Sequence, residues 1–104
     1  MRLNWSDTSR DDLRTILSYI ATNFGRRRDE EALSDIRERA ELLTTFPKRG
    51  RVFVKDSELG ITYRSLTAKL NKIVHFVTDE DMNIVTVWQN RQDISRLKKQ
   101  LTQK

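Results

Sequence analysis

Three cations and one imidazole in the second half of the chain have the residue types and spacing to act on an anion. Arg64 sits inside the run ITYRSL, Lys72 opens KIVHFV, and Arg91 follows NIVTVW. An arginine in mid-strand must keep its guanidinium hydrated or paired, and its planar fork suits a two-pronged contact with phosphate. In an antiparallel meander with tight turns, the start of one strand lies beside the end of the next. Arg64, Lys72 and Arg91 are therefore expected to share one region of the sheet surface, where three cations with no acid between them repel until an anion arrives. The plainer alternative is that Arg64 is an exposed residue paired with an acid across the sheet. His75, the single histidine, is the only ready general acid or base near neutrality, although a lone histidine in such a strand is more often packed and hydrogen-bonded than catalytic.

Other chemistry is thin. There is no phosphate loop, no nucleophile with triad partners and no cluster of His, Asp and Glu at metal spacing, so no cofactor and no metal are expected. Zero cysteines remove disulfides and thiolate sites. Trp5 and Trp88 read as core or rim aromatics, with stacking of Trp88 on a base as the functional alternative. The polar stretch from Gln89 to Asp93 reads as the rim at which the last strand hands over to a helix.

These residues need elements to hold them. The segment RLNW reads as a short edge strand. Ser9 and Asp12 stand in capping-box spacing, and Leu13, Ile16, Leu17, Ile20 and Phe24 follow one helical face, with Gly25 as a left-handed stop. Beyond Arg26-Arg27-Arg28, read as a solvated elbow, Ala32, Leu33, Ile36, Ala40, Leu43 and Phe46 mark a second helix that ends at Pro47. So short a connection makes the two helices antiparallel neighbours with a common third layer. That layer is the four runs RVFV, ITYRSL, KIVHFV and NIVTVW, rich in β-branched and aromatic residues and separated by turn segments. The last two are nearly continuous apolar runs, as expected of central strands. From Asp93, the spacing of Ile94, Leu97 and Leu101 predicts a short C-terminal helix. The fold class is α+β, in a single domain over residues 1–104.

Charge narrows the partner. The chain carries +5 in total, but residues 1–47 are net −1 and residues 48–104 net +6. A one-sided basic half suits a polyanion or an acidic polypeptide, whereas a generic basic surface remains the alternative. No run approaches the roughly 20 apolar residues of a membrane helix, and the first residues lack the apolar core of a signal peptide. A cytoplasmic protein without a membrane partner is expected.

In order and spacing, the chain resembles the RelE/ParE superfamily of type II toxins, of the plasmid-stabilisation type. The resemblance is carried by Trp5 before DDLRTI, by SYIATNFG, by LLTTFPKRGRV, by Arg64, and by KIVHFV leading to IVTVWQNRQDISRL. It implies a curved antiparallel sheet of three to four strands against an N-terminal strand and helical hairpin, and a toxin neutralised by a cognate antitoxin polypeptide. It implies no small-molecule substrate. RelE-like members are metal-independent messenger RNA endoribonucleases that act in the ribosome; ParE-like members keep the fold and poison DNA gyrase. On the RelE side Arg64, Lys72 and Arg91 stand where cleft cations are expected, with His75 or Asp93 left to move protons, because no aromatic or histidine follows Arg91. That gap, with the long hairpin and PKRGRV, favours a ParE-like growth inhibitor aimed at DNA gyrase; a ribosome-dependent ribonuclease is the alternative, and a non-toxic RNA-binding module a remote one.

Overall fold

The computed structural model describes residues 1–69 and 71–89. Arg91, Asp93 and the expected C-terminal helix lie outside these residues. The described elements, in chain order, are β1 (Arg2–Trp5), α1 (Asp7–Phe24), α2 (Arg26–Thr45), β2 (Arg51–Asp56), β3 (Ile61–Ala68), β4 (Asn71–Val77) and β5 (Asp81–Gln89).

Helix α1 begins earlier than the capping-box spacing implies. Ser6 is the N-cap: its hydroxyl accepts the Ser9 N–H at 3.0 Å, and the buried Ser9 hydroxyl donates back to the Ser6 carbonyl at 2.8 Å. Asp12 is thereby free for another partner. Gly25, at φ +92°, ends α1 by donating its N–H to Ala21 and starts α2 in the same step. The three arginines are thus the first turn of α2 rather than an elbow. Cations at a helix N-terminus oppose the helix dipole, and here Arg26 and Arg27 each lean on an acid four residues on, Glu30 and Glu31, both at 3.4 Å.

The strands form one sheet in the order β1-β5-β4-β3-β2. From β2 to β5 they make the expected antiparallel meander, with β4 at the centre. β1 joins the far edge in parallel, with Leu3 opposite Met82 and Trp5 opposite Ile84, so the sheet is mixed. Alternation along the strands gives the sheet two apolar faces. On one, Ala68, Ile73, Met82, Ile84 and Val87 pack with Ile16 of α1 and Ile36, Ala40 and Leu43 of α2. On the other, Phe53, Tyr63 and Val74 are joined by Val54, Ile61, Phe76, Val85 and Trp88, a cluster that among the described residues contains none from a helix. No helix of the described residues is long and apolar enough to cross a membrane.

Candidate functional site

Residues 46–50, between α2 and β2, are held against the sheet by a glycine. Gly50 has φ +95°, and a Cβ there would lie 2.5 Å from the Ser65 carbonyl oxygen, so only glycine lets this loop touch β3. The Gly50 carbonyl accepts a long hydrogen bond from the Arg64 guanidinium, at 3.5 Å. Arg64 is the register partner of His75 on β4. Together with Pro47, Lys48, Leu59, Gly60, Ile61, Thr62, Phe76, Val77 and Thr78 they line an open cleft of about 540 Å³.

The electrostatics of this cleft are one-sided. Lys48 and Arg64 line it, no Asp or Glu does, and Arg64 makes no ion pair with an acid among the described residues. His75 is wholly buried, and among the described residues neither ring nitrogen has a hydrogen-bond partner. Burial, and secondarily the Arg64 charge, lower its pKa from 6.5 to about 4. At neutral pH it is an uncharged ring beside a permanent cation. His75 is packed as expected, but among the described residues the hydrogen bonds expected with packing are not formed.

The expected cluster of cations does not form from Arg64 and Lys72. Arg64 alternates with Leu66 and Ala68, which belong to the helix-side core, whereas Lys72 alternates with Val74 and Phe76 of the opposite cluster and pairs with Thr67 and Trp88. Arg64 and Lys72 are three positions out of step along the ladder, an odd number, and therefore project from opposite faces of the sheet. Arg91 lies outside the described residues. Trp88 sits half-buried on the same face as Lys72, with its indole Nε1 buried and without a partner among the described residues.

Sequence reasoning overlooked two groups here. One is Lys48 with Gly50, whose only signal was the PKRG that follows the second helix. The other is Asp12. Its carboxylate accepts a short hydrogen bond from the Thr86 hydroxyl and another from the Val87 N–H at 3.3 Å, while the Ser6 hydroxyl donates to the Val85 carbonyl at 2.7 Å. These contacts occupy β5 where β1 stops at Ile84 and where the β4–β5 register shifts between Val74 and His75. The start of α1 thus closes a strand edge that would otherwise expose its backbone. Among the described residues no group of three or more His, Cys, Asp or Glu side chains is placed to hold a metal.

Residues 3–94 match the family described as the ParE toxin of the type II toxin–antitoxin system parDE. A solved structure, the chromosomal ParDE toxin–antitoxin system from P. aeruginosa, superposes with a TM-score of 0.71 at 21% identity, over 86% of this chain and 95% of that one. No curated protein matches.

Proposed function

Because this chain belongs to the ParE toxin family of type II toxin–antitoxin systems, we propose that it arrests growth by binding DNA gyrase, and that an antitoxin polypeptide silences it. The observation that carries the choice of target is the placement of Arg64 and Lys72 on opposite faces of the sheet. A ribonuclease that stabilises a scissile phosphate needs its cations converging on one point, at about 3 Å from the developing charge. It also needs a proton-transfer group in contact with the reacting atoms. His75 is sealed from solvent and uncharged at neutral pH. An interaction poison requires neither arrangement, only a stable surface of suitable charge and shape.

The antitoxin is read onto the sheet face opposite α1 and α2, where Phe76, Val85 and Trp88 are half-exposed beside Lys72. An apolar face of this kind on a basic half-chain fits an amphipathic acidic segment. The test of the target is a supercoiling assay with purified gyrase, in which micromolar protein should inhibit. Unchanged supercoiling, with messenger RNA cleaved on added ribosomes, would replace this reading by the ribonuclease one. Pulse labelling after induction gives the same decision in cells: DNA synthesis should stop before translation.

A further inference from the structure

We propose that residues 93–104 form an amphipathic helix that lies across β4, β3 and β2 on the sheet face opposite α1 and α2, with Ile94, Leu97 and Leu101 turned onto Phe53, Tyr63 and Val74. The helix closes a second core from this chain's own sequence. Its outer side then carries most of the positive charge of the basic half.

The first ground is that this face is sealed. Val74 is wholly buried, and Phe53 and Tyr63 are only 8% and 7% exposed. Yet the described residues packed with them, Val54, Ile61, Phe76, Val85 and Trp88, all come from the sheet itself. The two helices lie against Ile73, Met82, Ile84 and Val87, which point the other way. An antiparallel sheet with one face in water alternates apolar and polar residues, whereas strands covered on both faces read as continuous apolar runs. KIVHFV and NIVTVW are runs of the second kind. The indole Nε1 of Trp88, on the same face, is shut off from solvent as well. A core of this kind requires a second layer over the sheet.

The second ground is reach. β5 ends at Gln89 opposite Asn71, and Phe53 lies three strands across, near the level of His75 and Arg64. That path is about 14 Å across the strands and about 13 Å along them, or roughly 20 Å on the diagonal. Residues 93–104, as a helix, span about 18 Å, and Asn90, Arg91 and Gln92 are left to make the turn. The last apolar residue, Leu101, therefore arrives over β3 and β2, where the face is most deeply buried.

The third ground is the pattern of the segment. Ile94, Leu97 and Leu101 fall on one narrow stripe of a helix, and Arg96, Lys99 and Gln103 fall on the opposite side. Asp93 stands at the start, where an acid suits the helix dipole, and Lys104 at the end, where a cation does. A stripe three residues wide matches the three buried residues beneath it. Tethering selects this segment over a second copy of the chain or a separate polypeptide: a short flexible link gives an effective concentration on the order of mM, which an untethered rival must exceed. Residues 90–104 hold five Lys and Arg against one Asp, so +4 of the +6 in residues 48–104 belongs to them. Whatever approaches β2 to β4 from this side meets that cationic ridge first.

The test uses the intact chain. Protein with labelled Ile and Leu methyl groups would be searched for nuclear Overhauser contacts to aromatic rings, with Leu97→Met and Leu101→Met identifying the two leucine signals. Contacts from Leu97 and Leu101 to the rings of Tyr63 and Phe53 are expected. An equal mixture of labelled and unlabelled protein separates contacts within a chain from those between copies. No contact to these rings, contacts only between copies, or contacts instead to Ile20 and Ala32 on the helix side would overturn the proposal. As a second reading, Leu101→Lys should raise the binding of a hydrophobic dye several-fold, whereas Lys99→Glu on the outer side should leave it unchanged. Equal dye binding by the two variants and the parent also counts against the cap. Neither measurement involves gyrase or an antitoxin, so the outcome is separate from that of the target assay.

Discussion

His75 makes the stability of this protein depend on pH between 7 and 5, above the range in which carboxylates mainly titrate. The unfolded chain binds a proton on the imidazole near 6.5, while the folded protein resists until about 4. Between those values the unfolded state holds more protons, so stability is full above pH 6.5 and falls as the pH drops. The two pKa values give a loss of ~2 kcal/mol between pH 7 and pH 5, growing to ~3 kcal/mol by pH 4. Carboxylates titrate mainly below pH 5, so the upper part of the window belongs to this one side chain. Urea unfolding followed by the fluorescence of Trp5 and Trp88 at pH 7, 6 and 5 would measure it. His75→Leu keeps the volume and removes both the proton and the unsatisfied nitrogens. The variant should be as stable as the parent or more so at pH 7, and should lose less than about 0.5 kcal/mol on going to pH 5. A parent whose stability is flat from pH 7 to 5, or a His75→Leu variant with the parent's slope, would refute the reasoning.

Three further outcomes follow from the packing. Gly50→Ala puts a Cβ 2.5 Å from the Ser65 carbonyl oxygen at a positive φ, and should cost about 2 kcal/mol or more in urea unfolding while loosening the loop that carries Lys48. Asp12→Ala strips the acceptor from Thr86 and Val87; a loss of about 1.5–3 kcal/mol is expected, with faster amide exchange at Val87 as the local signature. Arg26→Ala and Arg27→Ala remove exposed i,i+4 pairs and should change stability by less than about 0.5 kcal/mol, read by the same unfolding curves.

Much of the architecture was legible in the chain because it is written in short-range periodicity. Leu13, Ile16 and Ile20 at helical spacing, Gly25 as the break, Pro47 as the end, and the β-branched runs after it each depend on local backbone chemistry. The antiparallel order of β2 to β5 follows from short connections; that between Ala68 and Asn71 is two residues, with Lys69 at φ +54°. Local pattern was less reliable at element ends. Ser9 and Asp12 have the spacing of a capping box, yet Ser6 caps the helix, and Asp12 accepts instead from two donors on β5.

The sequence by itself determined an α+β chain with a helical hairpin, a meander and a basic second half, because composition and periodicity need no knowledge of what lies opposite. Which residues meet was decided only by the tertiary structure. Register is a property of strand pairs, and a shift of one residue turns a side chain to the other face. For that reason Arg64 and Lys72, alike in charge and close in sequence, end up on opposite sides of the sheet, while Arg64 faces His75 from the next strand and Lys48 from beyond the second helix.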